Sequence, residues 1–164
     1  MGAPSREPYV CGAPYEVVGM SESRRSRFEE LSGIGVLVVE DEFIVSLTLK
    51  VQLEAMGCRV LGTARDAAGA LQQARELKPE VVLMDIGLSG SDGIEATQQI
   101  MAHAPTEVIV VTAYGDDRVQ LALQAGARLS LTKPILEEQL ARAILEVTAA
   151  RRTPGDKRGG GSVS

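Results

Sequence analysis

Five short apolar runs alternate with stretches of helical character between about residues 34 and 150, and this alternation restricts the fold more than any other feature. The runs are Val36–Val39, Val60–Gly62, Val81–Met84, Val108–Val111 and Leu129–Leu131. The first, third and fourth are continuous and rich in β-branched residues, as expected for strands that are buried on both faces of a parallel sheet. Parallel strands that alternate with helices predict an α/β fold.

The stretch after each apolar run carries helix start and stop signals, such as Asp at the start and Gly or Pro beyond the end. The predicted helices are Phe43–Met56, Asp66–Leu77, Gly93 to about Ala102, Asp116 or Asp117 to Ala125, and Leu136 to about Ala150. Five strand–helix units of this length predict a doubly wound five-stranded parallel sheet with five helices. We expect the flavodoxin-like strand order 2-1-3-4-5 with right-handed crossovers.

The chain divides into three parts. Residues 1–33 read as a partly disordered N-terminal extension, in which a short helix begins near Ser21 and ends near Leu31. Residues 34–150 form the predicted α/β domain. Residues 151–164 are rich in Gly and Arg and are predicted to be a disordered C-terminal tail.

Composition excludes several classes of function. The net charge is −5 and no basic block is long enough to follow a nucleic-acid backbone, so we expect no nucleic-acid partner. No apolar run reaches the roughly 18 residues of a membrane span, and no signal peptide is recognisable. Cys11 and Cys58 lie far apart without metal-ligand spacing, which indicates reduced thiols. These features predict a cytoplasmic protein.

Residues with chemically active side chains follow four of the predicted strands. Glu40 and Asp41 follow the first, Asp85 the third, Thr112 the fourth and Lys133 the fifth. In an open α/β sheet the carboxyl ends of the strands form the ligand site. Each residue alone is typical of a solvated or helix-capping position. Together, however, three carboxylates would repel one another, by roughly 3 kcal/mol for a pair about 5 Å apart at an effective dielectric near 20. Such a cluster favours Mg²⁺, which shares its site with phosphate groups.

The segments that carry these residues also match a known family. They are Val36–Glu42, Met84–Leu88 with Asp92–Ala96, Val111–Tyr114 and Leu131–Pro134. In this order and at these strand ends, they resemble the receiver domains of bacterial two-component response regulators, over about residues 34–150. The resemblance implies a phosphoacceptor in a phosphorelay whose partner is a sensor histidine kinase or a phosphotransfer protein. It implies no enzyme, with at most autophosphatase activity.

The resemblance also implies a role for each site residue. Asp85 would be the nucleophile that accepts the phosphoryl group. Lys133 would pair with Asp85 and then with the phosphoryl oxygens, which Thr112 would also contact. Glu40 would hold a water on the metal ion. The residues implied to form the Mg²⁺ site, directly or through water, are Glu40, Asp41, Asp85 and, by its backbone carbonyl, Gly87.

One position departs from the family pattern. Receivers usually carry Tyr or Phe three residues before the lysine, and here that position is Ser130. We therefore expect the signal to pass from Thr112 through the loop near Tyr114 and Gly115. The face formed by the fourth helix, the fifth strand and the fifth helix of the receiver is the expected partner or homodimer surface. With no output domain after the last helix, the chain reads as a stand-alone, chemotaxis-regulator-like receiver.

The first receiver helix carries two apolar stripes. Val45, Leu49, Leu53 and Met56 form one stripe, and Phe43, Leu47 and Val51 form the other. Either both stripes are buried, or the second is a docking surface for the kinase, and the sequence leaves both readings open.

The sequence also bears on three other functions. A phosphohydrolase of the haloacid dehalogenase type needs a second Asp where this chain has Gly87. A flavodoxin-like FMN carrier needs a phosphate-binding loop after the first strand, where Glu40 and Asp41 would repel phosphate. A phosphorylation-independent scaffold with the receiver fold is disfavoured because every acceptor-site residue is present, although Ser130 gives it some support.

Overall fold

The computed structural model describes residues 21–113 and 116–152 of the 164-residue chain. The strands are β1 (Gly35–Val39), β2 (Arg59–Ala64), β3 (Val81–Asp85), β4 (Glu107–Thr112) and β5 (Leu129–Thr132). The helices are α1 (Glu22–Leu31), α2 (Phe43–Ala55), α3 (Ala67–Leu77), α4 (Gly93–His103), α5 (Val119–Gln124) and α6 (Glu137–Arg152). The five helices predicted for residues 34–150 therefore correspond to α2 to α6.

The five strands form one parallel sheet in the order β2-β1-β3-β4-β5. This arrangement confirms the predicted fold class and strand order. Every residue of β1 and β3 is buried, because both strands are central and helices cover both faces of the sheet. The carboxyl ends of β1, β3 and β4 are consequently adjacent at one rim.

Apolar packing divides into two layers, one on each face of the sheet. On the first face α1, α2 and α6 pack on the strands, around fully buried Leu53 and Ile144. On the second face α3, α4 and α5 do so, around fully buried Ile100 and Ala122. Alternate residues of the central strands enter the two layers, as the twofold side-chain period of a strand requires.

Helix α1 precedes the predicted α/β domain of residues 34–150 and packs on the first layer. Its last residue, Leu31, is buried in the core. Its polar face forms two ion pairs with the first turn of α6, Arg24 with Glu137 at 3.1 Å and Arg27 with Glu138 at 3.5 Å. The helix is therefore held against the first turn of α6.

Two helix boundaries differ by a few residues from the predicted ones. Helix α5 begins at Val119, after the predicted start, because the carboxylate of Asp116 pairs with the guanidinium of Arg118 and accepts from its backbone N–H at 3.0 Å. Helix α6 continues to Arg152 into the predicted tail, and Arg151 lies 3.6 Å from Glu107. The disorder predicted for the termini otherwise concerns residues 1–20 and 153–164, which lie outside the described residues.

Cys58 is buried beneath α2, and burial raises the pKa of its thiol to about 11. Because the thiolate is the reactive form, we expect Cys58 to react with a disulfide reagent at pH 8 about 100-fold more slowly in the folded chain than in urea. A Cys11→Ser background isolates this thiol. Equal rates in the two states would show that Cys58 is accessible and ionised.

Across residues 21–113 and 116–152, the helices are all too short or too polar to cross a bilayer.

Candidate functional site

Four strands bring the candidate residues to one rim of the sheet. Glu40 and Asp41 follow β1 directly, and Asp85 is the last residue of neighbouring β3. Carboxylate oxygens of these three residues all lie within 4.8 Å of one another. Glu40 and Asp85 are buried, whereas Asp41 is half-buried. Three carboxylates so close together require positive charge nearby.

Among the described residues, the positive charge at this cluster comes from Lys133, which follows β5. Its Nζ donates to Glu40 Oε2 at 2.8 Å and to Asp85 Oδ2 at 3.1 Å. Its backbone N–H donates to the carbonyl oxygen of Thr112 at 2.8 Å, and its bond to Pro134 is cis. Lys133 thus reaches across β4 to the acidic residues of β1 and β3.

The pKa shifts follow from this crowding. Burial raises the pKa of Glu40 in spite of the hydrogen bond from Lys133. Burial alone would lower the pKa of Lys133, but the hydrogen bonds and charges of Glu40 and Asp85 raise it overall. Hydrogen bonding by Ser89 lowers the pKa of Asp41. Lys133 therefore stays protonated and Asp41 stays ionised at neutral pH.

Two backbone amides of the loop between β3 and α4 hold the carboxylates. Gly87 donates to Asp85 Oδ1 at 2.8 Å, and Ser89 donates to Asp41 Oδ2 at 3.0 Å. Gly93 begins α4 directly against the backbone of Asp85, where a side chain would overlap the Asp85 carbonyl oxygen. The loop and the start of α4 thus fix the position of the Asp85 carboxylate.

Thr112 lies at the same rim, but its hydroxyl is directed toward β5 and not toward the carboxylate cluster. It is the last residue of β4, and its buried hydroxyl donates to the carbonyl oxygen of Leu131 on β5 at 3.5 Å. Ser130 is exposed on β5, the edge strand. Tyr114 and Gly115, the predicted relay, lie outside the described residues.

Sequence reasoning missed two features of this site. It paired Lys133 with Asp85 alone, whereas the shorter contact is with Glu40. It also missed Arg65, whose guanidinium donates to the carbonyl oxygen of Asp41 at 3.3 Å. No sequence motif marks either contact, since both depend on how side chains cross between strands.

The second apolar stripe of α2, left open by the sequence, is exposed. Phe43 and Ile44 are 74% and 76% exposed, and Leu47 and Val51 are also largely exposed. These four residues are called the α2 stripe below. The first stripe is buried or half-buried against the sheet.

Comparison with known proteins gives a consistent result. The family model described as the response regulator receiver domain matches residues 36–145. Response regulator GacA of Pseudomonas aeruginosa is 39% identical over 122 residues, which are 73% of this chain and 57% of that protein. The protein-glutamate methylesterase/protein-glutamine glutaminase of Thermotoga maritima is 38% identical over 105 residues, 62% of this chain and 30% of that protein. The chain thus spans 57% or less of the length of these two relatives.

Solved structures agree. The response regulator domain of Thermotoga maritima CheB superposes with a TM-score of 0.63 at 38% identity, covering 72% of this chain and 96% of that one. The receiver domain of a sensor histidine kinase from Pseudomonas aeruginosa superposes with a TM-score of 0.66 at 28% identity, covering 72% and 99%.

Proposed function

The chain belongs to the response regulator receiver domain family, and from that membership and the geometry of the rim we propose that it accepts a phosphoryl group on Asp85. The donor is a phosphohistidine of a sensor histidine kinase or phosphotransfer protein. The observation that carries the proposal is the buried Asp85 carboxylate, which has two further carboxylates within 4.8 Å and the Lys133 ammonium at 3.1 Å.

The transfer is a displacement at phosphorus. A carboxylate oxygen of Asp85 forms a bond to phosphorus while the bond from phosphorus to the donor's imidazole nitrogen breaks, which leaves an acyl phosphate on the chain. The imidazole keeps the electron pair of that bond. Lys133 moves from the carboxylate pair toward the phosphoryl oxygens, whose charge it offsets.

A magnesium ion fits the same rim. Receiver domains bind Mg²⁺ at an acidic pocket, and the receiver structure from the Pseudomonas aeruginosa kinase is described with a magnesium ion coordinated in its active-site cleft. In this chain Asp41, Asp85 and the Gly87 carbonyl would hold the ion, with Glu40 on a coordinated water. Hard oxygen ligands in this number suit Mg²⁺, which keeps several waters. When bound, the ion would offset charge on the phosphoryl oxygens.

We expect phosphorylation to require Mg²⁺, because Lys133 alone leaves the three carboxylates with excess negative charge that repels a phosphoryl donor. The rate of labelling by acetyl phosphate, followed by intact-protein mass spectrometry, should fall at least about 100-fold in excess EDTA. Restoring Mg²⁺ should restore the rate. Labelling at the normal rate in EDTA would contradict a metal-dependent site.

The output of the domain is proposed to start at Thr112. Turning its hydroxyl toward a phosphoryl group would break the 3.5 Å hydrogen bond to the Leu131 carbonyl and so alter the edge strand β5 directly. Because Ser130 offers no ring, this backbone route and the loop at Tyr114 and Gly115 replace the aromatic switch. The face formed by α5, β5 and α6 is the proposed partner or homodimer surface.

The α2 stripe supports donor docking. It begins at Phe43, two residues after Asp41, and it exposes four large apolar side chains together. Contiguous apolar surface of this kind marks protein interfaces.

A further inference from the structure

The two flanks of the α2 stripe differ in structure. On the side toward α6, α1 is held against the first turn of α6 by the ion pairs Arg24–Glu137 and Arg27–Glu138. On the flank toward β2, a groove of about 200 Å³ remains open between α2 and the strand. A partner that packs on the stripe can therefore place side chains into the open groove on the β2 flank.

Two cations line this open groove. Lys50 projects from α2 and Arg65 follows β2, and Phe43 and Leu47 of the stripe form the apolar wall beside them. Neither cation forms an ion pair with a carboxylate among the described residues, and Arg65 contacts only the backbone carbonyl of Asp41 at the rim. The groove thus offers uncompensated positive charge next to exposed apolar surface.

The acidic residues near this groove do not supply the missing anion. The carboxylate of Glu40 lies at its floor, but it is 1% exposed and is paired with Lys133 at 2.8 Å. Glu54 lies one turn beyond Lys50 on α2 and forms no ion pair with it. Because Glu40 also belongs to the carboxylate cluster, the groove adjoins the proposed acceptor site.

On the basis of the phosphoacceptor function proposed above, we infer that the phosphodonor presents an amphipathic helix with an acidic side chain. Its apolar residues pack on Phe43, Leu47 and Val51, and one Asp or Glu enters the groove between Lys50 and Arg65. Opposite charge at an interface rim chiefly raises the association rate and excludes partners of the wrong charge. The groove would therefore select among donors by charge.

The test is charge reversal at Lys50, which lies outside the acceptor rim. The donor is the autophosphorylated histidine kinase that labels the wild-type chain fastest in a panel of purified kinases. For Lys50→Glu we expect kcat/KM of transfer to fall about tenfold at low salt, with kcat unchanged, and the difference to shrink as salt rises. Lys50→Arg should restore the wild-type value.

Labelling by phosphoramidate separates docking from chemistry, because this small donor needs no protein surface. Lys50→Glu should be labelled by it at the wild-type rate, and the control Arg75→Glu on α3 should match wild type with both donors. Transfer to Lys50→Glu that equals or exceeds the wild-type rate would overturn the acidic-donor inference. Failure of the wild-type chain to be labelled by phosphoramidate or by any kinase would instead overturn the proposed function.

Discussion

Replacing Asp85 with asparagine will abolish phosphorylation of the chain and leave its fold intact. The amide has the shape of the carboxylate but lacks the nucleophilic oxygen anion, so labelling should fall at least about 1,000-fold. The amide oxygen can still accept the Gly87 N–H, and Lys133 keeps its 2.8 Å contact with Glu40. We therefore expect the free energy of unfolding to change by less than about 1 kcal/mol, with any gain due to relieved repulsion of Asp41.

Intact-protein mass spectrometry with phosphoramidate and Mg²⁺ measures the labelling, and urea unfolding measures the stability. Asp117→Asn is the matched control, since Asp117 is exposed in the turn before α5 and is not part of the carboxylate cluster. Phosphorylation of the Asp85→Asn chain at another residue, at a rate near that of wild type, would place the acceptor elsewhere.

Gly93→Ala should lower the free energy of unfolding by about 2–4 kcal/mol. A Cβ at this position would overlap the Asp85 carbonyl oxygen and lie 2.8 Å from Ile86 Cα. Backbone atoms of a central strand cannot move aside as a flexible side chain can, so either β3 or α4 must shift. Because Asp85 ends β3, any such shift displaces the proposed acceptor, and labelling should fall together with stability.

Gly87→Ala provides the comparison for stability, since the nearest atom to its Cβ would be Asp85 Oδ1 at 3.6 Å, an ordinary contact. We expect urea unfolding of this variant to stay within about 1 kcal/mol of wild type. If Gly93→Ala is as stable as Gly87→Ala, there is room for a methyl group between α4 and Asp85, and the predicted overlap is contradicted.

Local signals in the sequence were strong enough to predict the sheet and much of the rim. The buried strands β1 and β3 are continuous apolar runs, and a run of that kind between helices has few alternatives to a parallel strand. Asp66 was predicted to cap α3, and its carboxylate does accept the Gly69 N–H at 2.7 Å. The convergence of Glu40, Asp41 and Asp85 follows from topology once the strand order is known.

The rest depends on side-chain contacts that the strand and helix patterns of the sequence do not encode. The start of α5 is set by the ion pair of Asp116 with Arg118, which competes with helix formation in that turn. The exposure of the α2 stripe depends on α1 packing toward α6 and leaving Phe43 and Leu47 uncovered. The preference of Lys133 for Glu40 depends on side-chain reach across β4.

The sheet separates the two apolar layers completely, and this has a consequence for how such a chain can diverge. Helix α2, which carries the α2 stripe, belongs to the layer of α1 and α6, whereas α3, α4 and α5 pack on the opposite face. The two layers share the backbones of β1, β3 and β4, and successive side chains along each of these strands enter opposite layers. A substitution that repacks one layer therefore leaves the other in place, so the α2 side can drift toward a new donor while α3 and α4 keep their packing. The proposed partner face of α5, β5 and α6 draws its two helices from different layers and would be affected by a change in either.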